Sequence, residues 1–207
     1  FVQKKRGGRE RLWKWPRPFI FQTYSESAQK RKQKNRRNMK QYLEKIVVNT
    51  GIGRHAQMGE FKDKTLPEIV QELALIVGQK PVSAPAKKSI AGFKTRVGDI
   101  IGLKITLRKK RMQDFISKLV HIILPRVKDF RGLNASIVDA GGNLNIGLRD
   151  QHVFPEIDQN TSKVNFGLQI TVVPKVKNRE KMLDFYRKIG VPLKSLDQES
   201  KPKAKNS

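Results

Sequence analysis

The chain has no cysteine, which excludes a disulfide framework, a thiolate zinc site and a cysteine nucleophile. Histidine is almost as scarce. His55, His121 and His152 are the only three, and none has a partner at the i+3 or i+4 spacing of a helical metal site. Acidic residues are outnumbered, with 18 Asp and Glu against 44 Lys and Arg, for a formal net charge of +26. Such an excess destabilises a compact chain by self-repulsion unless a polyanion lies close by. Long apolar runs are missing too: none approaches the roughly 20 residues of a membrane-spanning helix. Nucleic acid therefore ranks ahead of a membrane as the polyanion, since each neutralised phosphate releases a condensed counterion. Apolar residues make up 37% of the 207, enough for a modest core but thin for the length, so part of the chain is expected to stay outside it.

What is present is unevenly placed. From Phe1 to Lys45 there are 15 Lys and Arg against three Glu, a charge of +12. Residues 1–43 read as a basic N-terminal arm, disordered or extended, interrupted by an aromatic knot of Trp13, Trp15, Phe19, Ile20 and Phe21. Basic arms with interleaved aromatics can thread along RNA; a solvated tail has the same composition. Residues 195–207, rich in lysine, read as a short disordered tail.

Between these, residues 44–194 show the order of one α+β domain. Glu44–Thr50 is a β-branched strand that ends in Gly51-Ile52-Gly53, a tight turn and not a phosphate loop. Thr65, Pro67 and Glu68 spell a capping box for a helix that buries Ile69, Leu73 and Ile76 and stops at Gly78. Pro81–Thr95, with its prolines, small residues and lysines, reads as a projecting loop. Asp99–Arg108 alternates Ile101, Leu103, Ile105 and Leu107 with Gly102, Lys104, Thr106 and Arg108, a half-buried strand with a polar outer face. A second helix carries Met112, Phe115, Ile116, Leu119, Val120 and Ile123 inward and closes at Pro125. Ile137-Val138 and Leu144–Arg149 read as a hairpin around Gly141-Gly142-Asn143, Phe166–Val173 as a further strand, and a last helix runs from Asn178 to Gly190. Strands and hairpins mixed with amphipathic helices predict a mostly antiparallel sheet with helices covering one face.

Catalysis finds no support in these residues. Glu156 and Asp158 would share a face of an extended segment, but nothing supplies the pocket that acid–base chemistry needs. RNA binding has two candidate sites. Lys87, Lys88 and Ser89 on the projecting loop offer phosphate donors, with Ile90, Phe93, Lys94 and Arg96 beside them; a merely solvated basic hairpin would look the same. On the sheet, Asn49, Thr106 and Arg108 offer ribose and base-edge contacts, and Gln79 joins them if the end of the first helix lies beside the sheet.

Several blocks of the domain resemble a known family, the large-subunit ribosomal protein number five in its bacterial and organellar form. They are Lys45-Ile-Val-Val-Asn49, Gly78-Gln-Lys-Pro81, Ala86-Lys-Lys-Ser-Ile-Ala-Gly-Phe-Lys94, Thr106-Leu-Arg108, Leu124-Pro-Arg126, Asp129-Phe-Arg-Gly132 and Phe154-Pro-Glu-Ile157. The resemblance implies a structural, non-enzymatic constituent of the large ribosomal subunit, with no cofactor or metal. By it, Asn49, Gln79, Thr106 and Arg108 bind 5S ribosomal RNA in the central protuberance, beside 23S-type RNA and neighbouring proteins. The loop carrying Lys87, Lys88, Ser89, Ile90, Phe93, Lys94 and Arg96 touches the elbow of the peptidyl-site tRNA, and the protein bridges to a small-subunit head protein.

Two departures from the family weaken specific contacts. Ala84-Pro85 stand where a Thr-Arg pair is usual, and Ala140-Gly141-Gly142-Asn143 where Gly-Arg-Gly-Asn is usual; each loses a cation. The arm replaces the family's N-terminal helix, so its partner is not inherited. A basic extension and a first residue other than Met are expected of a mitochondrial ribosomal protein, ahead of plastid or bacterial cytoplasm. If that ribosome lacks a conventional 5S RNA, the sheet site faces its replacement. The alternative function is a trans-acting assembly factor or RNA-modifying enzyme.

Overall fold

The computed structural model describes residues 38–53, 55, 61–158, 162 and 164–194. The tail and residues 1–37 of the arm lie outside the described residues; the last part of the arm, read as disordered or extended to residue 43, is instead helical over residues 38–42 and buries Met39 and Leu43 in the core.

Five strands form one sheet: β1 (Leu43–Gly51), β2 (Val82–Pro85), β3 (Ile100–Leu107), β4 (Leu144–Leu148) and β5 (Leu168–Pro174). Their order is β2-β3-β1-β5-β4, and every pairing is antiparallel. Among the described residues, three longer helices accompany it: α1 (Leu66–Val77), α2 (Lys109–Lys118) and α3 (Arg179–Lys188). The expected class, α+β with an antiparallel sheet, is the one observed.

Period-2 alternation decides which sheet face meets the helices. On β1 the buried side chains are Leu43, Ile46, Val48 and Thr50, and on β3 Leu103, Ile105 and Leu107. Ile69, Leu73 and Ile76 of α1, Phe115 and Ile116 of α2, and Met182 and Tyr186 of α3 belong to the same core. Each such aliphatic or aromatic side chain contributes roughly 1.5–3 kcal/mol on full burial. The opposite sheet face is half-buried or exposed throughout.

Four local readings need correction. Thr65 does not cap α1: its own backbone is helical (φ −70°, ψ −44°) and its side chain makes no cap bond, because a π-helical turn, Phe61–Thr65, already leads into the helix. Pro125 does not end the second helix. A π-helical turn, Leu119–Ile123, follows α2, and the Leu124 N–H bonds back to Leu119 O. Pro125 then sits within a last turn, Leu124–Arg126, so the helical path continues past it. The projecting loop is shorter than Pro81–Thr95, since Val82–Pro85 pairs with β3. Finally, Ile137-Val138 is not half of a hairpin: residues 135–137 form a 3₁₀ turn, only Val138 bridges to Leu144, and β4 pairs with β5 instead.

The glycine turn of that region is nonetheless tightly built. Asn143 donates from its amide to Asp139 Oδ2 at 2.6 Å and from its backbone to Oδ1 at 2.8 Å, and these bonds hold the Asp139 carboxyl below its ordinary range. The Tyr186 hydroxyl donates to Gly142 O at 2.9 Å; burial, with the nearby Asp139 charge, pushes its pKa well above the usual value. Gly142 has φ +80°, and a Cβ there would stand 2.8 Å from Met182 Cγ, so only glycine fits.

Lys118 joins three elements. Its ammonium donates to Ile76 O at 2.8 Å, at the C-terminal end of α1, which has no basic residue of its own in the last turn. It pairs with Glu156 and lies 5.7 Å from the centre of the Phe154 ring. Glu156, read from sequence as a solvated loop residue, is thus a tether. Lys118→Met keeps the stem and removes the charge, and is expected to cost about 2 kcal/mol. Urea denaturation measures it; a midpoint equal to that of the native chain would refute the tether.

Candidate RNA interface

The uncovered sheet face carries a band of polar side chains. β1 contributes Lys45 and Asn49, β3 Lys104 and Thr106, β5 Gln169 and Thr171, and β4 Asn145, all half-buried or exposed. Register brings them together: Asn49 lies opposite Lys104 on one side and opposite Gln169 on the other, while Asn145 faces Thr171. Thr106 is opposite Val47, hence diagonal to Asn49 on the same face, at roughly 7–8 Å between backbones.

Neighbouring groups in the band are already bonded, but not to capacity. The Asn49 amide donates to Gln169 Oε1 at 3.2 Å, and the Thr171 hydroxyl donates to Asn145 Oδ1 at 2.9 Å. Each primary amide has two N–H donors and a two-lone-pair oxygen, so donors and acceptors remain for a ligand. Neutral groups of this kind suit ribose hydroxyls and base edges, and the flanking Lys45, Lys104 and Arg108 suit phosphate.

Arg108 follows β3 and precedes α2. Its guanidinium meets Glu44 Oε1 at 3.4 Å, both side chains being largely solvated, and the same carboxylate oxygen is 3.5 Å from Lys45 Nζ. Exposed pairs of this length are worth little, so a phosphate or base can take Arg108 over. Gln79, just beyond Gly78 at the end of α1, accepts from Arg111 Nη1 at 3.1 Å. Since Arg111 lies in the first turn of α2, this bond places Gln79 at the same end of the sheet as Arg108. Thr106, Arg108 and Gln79 thus lie toward one end, with Asn49 farther along the face.

The projecting segment is a short hairpin closed by a bridge between Ile90 and Thr95. Ala91–Phe93 make a 3₁₀ turn, and Lys94 leaves it in the left-handed conformation at φ 48°. Ser89 Oγ accepts from Val97 N at 3.1 Å, and Asp99 accepts from the Arg96 backbone N–H at 2.8 Å. These bonds make Ser89 and Arg96 parts of the hairpin's frame as well as its surface. Lys87, Lys88, Lys94 and Arg96 are exposed or nearly so, and among the described residues no carboxylate forms an ion pair with any of them.

Sequence reasoning left Lys45, Gln169, Thr171, Asn145 and Arg111 out of the site. The signal for Gln169 and Thr171 was available, because they alternate with Leu168, Ile170 and Val172. That β5 lies next to β1 was not. Among the described residues no group of three or more metal-ligating side chains occurs, and no helix is long and apolar enough to cross a membrane.

Comparison with known proteins extends over this same body. One family model, Ribosomal protein L5, matches residues 39–96, and a second, describing the C-terminus of the same ribosomal protein family, matches residues 100–193. The large ribosomal subunit protein uL5 of Fusobacterium nucleatum is 45% identical over 152 residues, covering 73% of this chain and 81% of that protein. The uL5 of Limosilactobacillus fermentum is 48% identical over 151 residues (72% and 81%). That of Geotalea daltonii is 44% identical over 163 residues (78% and 89%). With two adjoining models matched in order across the sheet and its helices, and close to half the residues shared with these relatives, the chain belongs to the ribosomal protein L5 family.

Proposed function

We propose that this protein, a structural and non-enzymatic constituent of the large ribosomal subunit, uses its uncovered sheet face to hold 5S ribosomal RNA, or the molecule that replaces it, in the central protuberance. The observation that carries this reading is the placement of Asn49 and Thr106 on one open face, with Arg108 and Gln79 at its end. A face of amides and hydroxyls edged by cations fits the shallow minor groove of folded RNA, where 2′-hydroxyls are displayed. The hairpin of Lys87 to Arg96, basic and without an ion-paired carboxylate among the described residues, reads as the contact to the peptidyl-site tRNA elbow. A bridge to a small-subunit head protein, and the neighbouring 23S-type RNA and proteins, complete the set of proposed partners.

The test is binding of a 5S ribosomal RNA transcript to the full chain. Arg108→Ala is expected to weaken it by about 1–3 kcal/mol, without loss of thermal stability, because the Glu44 pair it gives up is solvated. Unchanged affinity in a folded variant would sink the sheet-face site.

The mitochondrial placement rests on the basic composition of the arm. That arm lies outside the family matches, which begin at residue 39, and the relatives named above are bacterial. Subcellular fractionation of the source cells tests it; cofractionation with cytoplasmic ribosomes alone would refute it.

A further inference from the structure

The underside of the hairpin forms a groove with the end of the sheet, open to solvent and about 900 Å³ in volume. Ile90 and Phe93 come from the hairpin, Ile101 from the start of β3 and Phe166 from the segment leading into β5. Three of these large apolar side chains are well exposed: Ile90 at 50%, Phe93 at 68% and Ile101 at 38%. Ile101 has the same alternation as the buried Leu103 and Ile105, so the core face of the sheet is left partly open at this end. A contiguous exposed apolar surface of this sort marks a binding site more often than a packing fault.

Charge indicates the occupant. Lys87 and Lys88 line the groove, and among the described residues no Asp or Glu does. An apolar slot whose described charged lining is cationic fits a ligand that is flat and apolar at one end and anionic at the other. Asn165, also in the lining, donates one amide N–H to Asp150 at 2.9 Å, which leaves its carbonyl oxygen to accept from a base N–H. Gly51 and Ile101 border both this groove and the hollow on the outer sheet face, so the two adjoin at this end of the sheet.

We infer that the groove seats one unstacked base of the ribosomal RNA that lies on the outer sheet face. The base stacks against the aromatic lining and its phosphates sit on Lys87 and Lys88, which line the groove, while Lys94 and Arg96, outside that lining, are left for the tRNA contact. This inference rests on the sheet-face reading, and extends it from positioning of a folded RNA to capture of a single splayed nucleotide.

The experiment uses the full chain and a single-stranded oligouridylate carrying 4-thiouridine, irradiated and mapped by mass spectrometry. Adducts are expected on peptides containing Phe93 or Phe166. Ile90→Glu, at an exposed position, puts a carboxylate at the rim and should lower their yield about tenfold; Ile101→Trp fills the slot and should do the same. Both variants should still bind a folded 5S ribosomal RNA transcript. Adducts confined to outer-face peptides, or a yield that neither variant lowers, would overturn the base seat. If Ile101→Trp fails to fold, Ile90→Glu decides alone. Failure of the sheet-face reading is distinct, because it leaves transcript affinity unmoved in Thr106→Glu.

Discussion

Thr106→Glu is expected to reduce affinity for a 5S ribosomal RNA transcript about a hundredfold, while the protein remains folded. Thr106 sits on the proposed face between Arg108 and Asn49, opposite Val47 and diagonal to Asn49, and is only half-buried. Its replacement removes a hydroxyl that can both donate and accept, and introduces a carboxylate facing the phosphates. Loss of one good contact is worth about 1–3 kcal/mol, and the introduced repulsion adds to it, so about 2.7 kcal/mol in total is a moderate expectation. Stability should change little, because the strand's buried side chains Leu103, Ile105 and Leu107 are untouched. Filter binding at two salt concentrations, with a thermal melt as control, reads both quantities. A folded variant with native affinity would exclude the outer face as the RNA site.

Gln151→Leu is expected to cost about 3 kcal/mol of stability and to lower the melting temperature by roughly 6–12 °C. Gln151 is completely buried, yet its amide is fully engaged. The amide nitrogen donates to Val164 O and to Ser162 Oγ at 3.1 Å, with Glu72 Oε2 at the outer limit of 3.5 Å. Its oxygen accepts from the Phe166 backbone N–H at 3.0 Å. Leucine has nearly the same volume, so no cavity opens. What is lost is the pairing of a buried carbonyl and a buried N–H, and that desolvation penalty is the expensive part. The consequence reaches the groove under the hairpin, since Asn165, Phe166 and Gly167, in the segment leading into β5, form one wall of it. Thr50, whose hydroxyl donates to Gly167 O at 2.6 Å, pins its other end. A melting temperature within a degree or two of native would show the amide to be dispensable.

Elements with a local pattern were legible in the amino-acid order alone. The β-branched run of β1, the alternation of β3 and the amphipathic spacing of α1 and α3 could be read because periods of 2 and 3.6 depend only on neighbours along the chain. Asn178 and Gly190 announced the two ends of α3, and the structure has Asn178 accepting from Lys181 N at 3.0 Å and Gly190 at φ +93°. Charge ranked nucleic acid ahead of a membrane as the partner before any fold was known. The family blocks then named which RNA to test, which no periodicity could have done.

Whatever depends on which element lies beside which had to await the folded chain. Thr65, Pro67 and Glu68 had the letters of a capping box, but the π-helical turn before them made a cap unnecessary. Gly141-Gly142-Asn143 had the letters of a hairpin, yet β4 gains more from a full ladder with β5 than from the short 3₁₀ segment behind it. Lys118 reaches Ile76 and Glu156, 42 and 38 positions away, and Gln169 stands next to Asn49 across 120 positions. A side chain's sheet face can be counted off along one strand. Its neighbour on that face depends on strand order and register, and those are set by the packing of the whole core.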